Sequence, residues 1–312
     1  MPAPSTSAAA EPRSRSLPWP SLVWLGLLGV LLCLLYSETS RHMVQQWWEE
    51  EDYNHGFVVP LFSAYLIWQD RDRLRRLATH PSLWGIVVLG TGLLMFVVGS
   101  AGAELFLQRL SMVIVLSGLL LLVLGAEYLG ALAFPVAFLV FAVPIPAVIR
   151  NVIAFPLQLF AAQTATLCLS AAGVPVMREG NVIALAQTTL EVADACSGIR
   201  SLQALLALAA VYGYLTERKT WKRLVLFLSA IPIAIAANAF RVSGTGFLAH
   251  FFGLEMAQGF YHSLAGYLMF GVAFVGMLAM GSLLNRVAPD KREGSSSAPE
   301  SAAAIPTPEA TP

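Results

Sequence analysis

The chain has 312 residues, of which 57% are hydrophobic and only 12% charged, with 19 basic side chains balancing 19 acidic ones. Soluble domains carry about 25% charged residues, and a nucleic-acid partner would call for a basic patch that this composition lacks. Such apolar density, gathered into long runs, excludes a soluble domain and predicts an all-α polytopic membrane protein.

Residues 1–16 are rich in Ala, Pro and Ser and carry Arg13 and Arg15, so they are expected to form a disordered cytoplasmic N-terminus. The run 17–36 is longer than the apolar region of a usual signal peptide and lacks a small-x-small exit, so it reads as a retained anchor. Further apolar runs at 55–69, 83–101, 105–125, 128–149, 152–173, 196–215, 224–249 and 261–285 bring the candidate spans to nine. The transmembrane domain is therefore expected over 17–285. A disordered cytoplasmic tail is expected over 286–312, where Pro, Ala, Ser and Glu dominate.

Lys and Arg in short loops set orientation. The clusters Arg71, Arg73, Arg75, Arg76 and Arg218, Lys219, Lys222, Arg223 should both be cytoplasmic. Nine crossings would put the second cluster outside, so one candidate is expected not to cross. The weakest is 152–173, which holds Pro156, Gln158, Gln163 and Thr164 and follows Pro144-Ile145-Pro146. The expectation is that 128–149 crosses outward and 150–173 lies in the outer interface or re-enters. That leaves about eight transmembrane helices. Between them, Val182, Ile183, Thr188, Thr189 and Val192 favour strand, and Gly180-Asn181 favours a turn, which predicts a small extracytoplasmic β-hairpin over 174–192.

Ionisable residues inside a bilayer are functional candidates by default. Cys196, in Asp194-Ala195-Cys196-Ser197-Gly198-Ile199-Arg200, opens a helix, where the thiol is easier to ionise. Arg200 and Gln203 follow on its face. The competing view is a packing cysteine at a helix start. Arg241 lies 17 residues after Leu224, roughly 25 Å along a helix, with Asn238 and Thr245 on its face. It is a catalytic or binding cation, or else a snorkelling interfacial arginine. His262 opens the last span, and Gly266 one turn later permits close approach of another helix; the plain alternative is an interfacial histidine. Cys33 and Cys168 sit in apolar runs and read as small hydrophobes. Three widely spaced cysteines suggest neither a disulfide framework nor a zinc site, so no metal and no cofactor are expected.

With eight crossings, Cys196, Arg241 and His262 share the outer boundary. A thiol, a guanidinium and an imidazole at one depth suggest acyl transfer. Cys196 would be the nucleophile, His262 the general acid and base, and Arg241 the oxyanion stabiliser.

The segment Glu191–Leu202 resembles the cysteine motif of the exosortases, within the exosortase/archaeosortase membrane transpeptidases. Asn238-Ala239-Phe240-Arg241-Val242 is similar to their arginine motif. His262 with Gly266 and Phe270 is similar to their histidine motif, and Tyr53-Asn54-His55-Gly56-Phe57-Val58-Val59-Pro60 to an N-terminal signature. Together these cover roughly residues 50–285. The resemblance implies a cysteine transpeptidase of a bacterial inner membrane, acting on its periplasmic side. It would cut a C-terminal Pro-Glu-Pro-type sorting signal through a thioester on Cys196 and pass the chain to an acceptor, with a link to exopolysaccharide export. Its partners would be membrane-anchored proteins bearing such signals, and no nucleic acid. Arg200, Asn238 and His55 are the candidate substrate-binding residues. Arg200 would hold a substrate carboxylate or pair with Asp194, and His55 would assist catalysis, shape the substrate groove or serve structure alone. A multi-pass transporter or an envelope scaffold is the alternative, although the polar residues gather at one boundary rather than near the midplane, where transporter sites lie.

Overall fold

A computed structural model describes residues 19–186, 188–192, 198–253 and 260–289. In chain order it contains α1 (Trp19–Leu35), α2 (Ser37–Glu49), a 3-10 turn (Glu51–Phe57), α3 (Val58–Gln69), α4 (Arg71–Leu74), α5 (Trp84–Ala101) and α6 (Leu105–Val123). There follow α7 (Ala126–Ala131), α8 (Ala133–Phe138), a second 3-10 turn (Leu139–Ala142) and α9 (Ala147–Ala171). Three strands, β1 (Val176–Glu179), β2 (Val182–Leu185) and β3 (Thr189–Glu191), lead to α10 (Ile199–Thr216), α11 (Thr220–Phe252) and α12 (Phe260–Val287).

Among the described residues, five helices are long and apolar enough to cross a membrane: α5, α6, α9, α11 and most of α12. The protein is thus an all-α polytopic membrane protein with a small sheet. α5 and α6 form a hairpin in which glycines replace side chains where the backbones meet. Gly92 receives Val115, and Gly118 receives Leu89. Small residues at such crossings let van der Waals contact do the work that the hydrophobic effect cannot do in lipid.

The segment expected to be weakest is instead one of these long helices. Residues 147–171 form an unbroken helix of 25 residues, while 128–149 is divided among α7, α8, a 3-10 turn and the start of α9. The polar residues that counted against α9 are accommodated locally. Thr164 and Thr166 donate to the carbonyls of Phe160 and Ala162 at 2.9 and 2.8 Å, and Gln158 is buried. The breaks fall before it, at Gly125 (φ +96°) and at Pro144 and Pro146, which cannot donate a helical hydrogen bond.

α9 runs parallel to α11. Leu157 and Ala161 line the same crevice as Ala234 and Asn238, and farther along both helices Leu169 meets Gly246. The sheet caps this pair. Its strands pair antiparallel in the order β1-β2-β3, three strands where a two-stranded hairpin is predicted. Ile183, Leu185 and Val192 from the sheet region bury with Ala165 and Leu169 of α9 and Val242 and Ala249 of α11.

α10, α11 and α12 pack in succession around Leu205, Ala209, Ala230, Ala234, Ala273 and Met277. At the end of this group beside the α10–α11 turn, Lys222 and Glu217 are almost wholly buried. Lys222 Nζ lies 3.4 Å from Glu217 Oε2 and donates to Asn285 Oδ1 at 2.8 Å. Asn285 Nδ2 donates to Glu217 Oε1 at 2.8 Å. The three side chains close a ring that ties the end of α12 to the α10–α11 turn. Two charges are expensive to bury unless their remaining hydrogen-bonding positions are filled, and Asn285 fills one on each partner.

Candidate functional site

The site is built at the opposite end of α10 and α12, against the interior of α11. Gly198 precedes α10 with φ +79°, a left-handed conformation that glycine adopts without steric cost. There is a second reason for glycine. A Cβ on Gly198 would lie 2.8 Å from Cγ and 2.9 Å from Cβ of Asn238. The start of α10 therefore rests directly on α11, and the buried Asn238 is the floor beneath it. Ser201 Oγ donates back to the Gly198 carbonyl at 3.0 Å, closing the first turn.

One turn beyond Asn238 stands Arg241, half-buried. Thr245 Oγ1 donates to the Arg241 carbonyl at 3.0 Å. The guanidinium of Arg241 reaches α12: a Cβ on Gly266 would lie 3.8 Å from its Cζ. Two glycines on two helices thus face consecutive turns of α11. Gly198 brings in the cysteine segment and Gly266 the histidine segment.

The register is matched at both ends. From Lys222 to Arg241 is 19 residues, and from Gly266 to Asn285 is again 19. At 1.5 Å per residue each stretch is roughly 28 Å. The Lys222–Asn285 hydrogen bond and the Arg241–Gly266 contact are therefore in step along two antiparallel helices.

Cys196 and Asp194 lie outside the described residues. The flanks of that segment are placed. Val192 N donates to the Asn181 carbonyl at 2.9 Å and Asn181 Nδ2 donates to the Val192 carbonyl at 3.3 Å, so the sheet holds the chain before it and Gly198 holds it after. His262 is the third residue of α12, one turn before Gly266, and Arg200 is the second residue of α10; the described structure places both at the level of backbone.

His55 belongs to a different neighbourhood. It stands in the first 3-10 turn, and α3 begins only at Val58. Tyr53 of that turn buries with Trp47, Phe138, Ala142 and Ala207. Trp47 Nε1 donates to the Ala142 carbonyl at 2.9 Å, and Tyr53 Oη to the Ile145 carbonyl at 3.1 Å. Ala207 is nine residues along α10 from Gly198, roughly 13 Å. Nε2 of His55 is buried without a hydrogen-bond partner among the described residues. No group of three or more His, Cys, Asp or Glu with metal-binding geometry occurs among the described residues.

The sequence model of the Transmembrane exosortase family matches residues 47–279, a stretch that includes His55, Gly198, Asn238, Arg241 and Gly266. The chain belongs to the transmembrane exosortase family. No curated protein and no solved structure matches it. Membership supports a membrane cysteine transpeptidase role in general. Within this exosortase, Gly198 is legible in the sequence only as one letter of the cysteine motif. Its positive φ and its seat on Asn238 depend on a contact between helices, which no local pattern encodes.

Proposed function

We propose that this exosortase is a cysteine transpeptidase that cleaves a C-terminal sorting signal of the Pro-Glu-Pro type and transfers the shortened chain to an acceptor. The observation that carries this reading is the convergence on α11: Gly198 sits on Asn238, and Gly266 sits beside Arg241. Two peptide units separate Cys196 from Gly198, a reach of about 7 Å. His262 precedes Gly266 by one turn, about 6 Å. A sulfur, a guanidinium and an imidazole thus belong to segments that meet.

The Cys196 thiolate attacks the scissile carbonyl carbon, and the oxygen takes the negative charge, which Arg241 stabilises. The C–N bond breaks as the His262 imidazolium gives its proton to the leaving amine. A thioester remains on Cys196. An acceptor amine, or water, then attacks that thioester, yields a proton to neutral His262 and regenerates the thiolate. Arg200, two residues into α10, holds the acidic residue of the signal. Asn238 positions the cysteine segment through Gly198. His55 stands apart from the reacting atoms, in the turn that buries Tyr53 against Trp47 and Ala142, and serves structure there.

In the membrane, eight crossings are proposed, with α7, α8 and α9 together making one of them. The parallel course of α9 and α11 supports this, since a single inward-to-outward passage over 126–171 keeps both basic clusters on the cytoplasmic face. The chemistry then lies at the periplasmic face of a bacterial inner membrane, where membrane-anchored precursors linked to exopolysaccharide export would present their signals.

The test is co-expression of the full chain with a tagged protein ending in such a signal, a hydrophobic stretch and a basic tail. Wild type should shorten the substrate, and Cys196→Ala should leave it full length. Continued shortening with the alanine variant would refute the cysteine mechanism.

A further inference from the structure

At the end of the bundle away from Gly198 and Asn238 there is a second polar feature that this chemistry does not use. A cavity of about 500 Å³ opens where α3, α8, α10 and α11 meet, and Gln69, Asp70, Arg73, Phe134, Tyr214 and Arg223 line it. Arg223 is fifteen residues before Asn238 on α11, so roughly 22 Å separates the cavity from the proposed reaction centre.

Arg223 is held in place before anything binds. Its Nε donates to the Glu217 carbonyl at 2.8 Å, and its Nη2 lies 3.5 Å from the Tyr214 carbonyl. Its guanidinium carbon stands 5.1 Å from the Tyr214 ring centre. That ring is itself fixed by stacking on Phe134, with centroids 3.9 Å apart and planes within 4°. Among the described residues neither Arg223 nor Arg73 has a carboxylate partner at ion-pair distance. The exposed Arg73 and the half-buried Arg223 therefore bring two guanidinium groups to one cavity. Asp70 and Gln69 supply acceptors on the same lining, and the half-exposed Leu215 supplies an apolar edge.

We infer that this cavity binds the headgroup of an anionic glycerophospholipid such as phosphatidylglycerol. The phosphodiester bridges Arg73 and Arg223, because a guanidinium matches phosphate oxygens two at a time. The headgroup hydroxyls donate to Asp70 and Gln69, which gives the lone carboxylate a role that a bare phosphate would not. Acyl chains leave along Leu215 into the bilayer. Basic pockets between spanning helices are a recurring form of headgroup site, and here the cavity volume, the pre-set arginine and the acceptors occur together.

The full-length protein, purified in detergent and delipidated, can be titrated with phosphatidylglycerol, phosphatidylcholine, glycerol phosphate or inorganic phosphate and observed by native mass spectrometry. Phosphatidylglycerol should form a one-to-one adduct. That adduct should weaken at least ten-fold in Arg73→Gln and in Arg223→Gln, while Arg75→Gln/Arg76→Gln, outside the cavity, leaves it unchanged. Phosphatidylcholine, which lacks donor groups on its head, should bind at least ten-fold more weakly. Equal loss in the Arg75/Arg76 variant would overturn the site in favour of general surface attraction. Displacement of the lipid by equimolar glycerol phosphate or inorganic phosphate would overturn the lipid as its ligand. Neither readout depends on peptidase activity, so failure of this inference leaves the proposed function standing, and the reverse holds too.

Discussion

Gly198 and Asn238 occupy adjoining space so closely that a single methyl group on the glycine would stand 2.8 Å from the asparagine's Cγ. That contact joins the segment carrying Cys196 to the helix carrying Arg241, and a mutation tests it. Gly198→Ala should destabilise the protein by about 1–3 kcal/mol, because it adds a left-handed non-glycine residue to a steric clash. Substrate processing should fall on the order of 100-fold, the scale expected when reacting groups are displaced by about an ångström. In the double variant Gly198→Ala/Asn238→Gly the three nearest clashing atoms are gone, so thermal stability should recover in part. A melting curve for each variant decides.

A graded series at Gly266 tests the other half of the convergence. The Cβ of Gly266→Ala would lie at ordinary contact distance from Arg241, so processing should stay within about three-fold of wild type. Gly266→Leu fills the space of the guanidinium and should cost about 100-fold in the transfer step. Equal activity across the series would show that Arg241 does not work from this position.

The buried ring at the far end should behave as a stability element with a catalytic echo. Lys222→Ala leaves the Glu217 carboxylate buried without its cation and should cost roughly 3–5 kcal/mol. Glu217→Met/Lys222→Met removes both charges and should lie closer to wild type. Asn285→Ala keeps the ion pair but unties α12, so kcat should fall more than folding stability does. Paired melting and kinetic measurements on the three variants distinguish these outcomes.

Several of these features were legible in the chain and others were not. Arg241, Asn238 and Gly266 stand out in sequence because polar or small residues at helical spacing are conspicuous in apolar runs, and the structure sets Gly266 beside Arg241, one turn from Asn238 on the same helix. Arg71, Arg73, Arg75, Arg76 and Arg218 likewise stand apart from the long helices, while Arg223 lies in the first turn of α11. What could not be read was helix continuity. Pro156 and the threonines of α9 look disruptive as letters, yet Thr164 and Thr166 bond their own helix. Gly125, Pro144 and Pro146 bound the fragmented stretch 126–146, and its internal break at Leu132 falls where Pro135 cannot donate a helical hydrogen bond. The Lys222–Glu217–Asn285 ring escaped notice because its third member lies more than sixty residues away. His55 illustrates the reverse case: its motif was conspicuous, but the structure groups its turn with Trp47 and Ala142.

Thiol reactivity offers a prediction about sidedness. Cys33 and Cys168 are exposed on apolar helices, where a membrane-impermeant maleimide finds little water. Cys196 should label first, from the periplasmic side of intact spheroplasts at neutral pH, and Arg241→Ala should slow that labelling. Labelling that requires access from the cytoplasmic side would contradict the proposed topology.

The most direct measurement is capture of the covalent intermediate. Full-length protein is mixed with a synthetic sorting-signal peptide, quenched in acid within seconds, and analysed by intact and peptide-level mass spectrometry. A mass increase equal to the N-terminal fragment of the substrate is expected on Cys196. It should be absent in Cys196→Ser and should build up when the acceptor is withheld. Cleavage of the peptide with no adduct on Cys196, or with an adduct on Cys33 or Cys168 instead, would contradict the thioester mechanism.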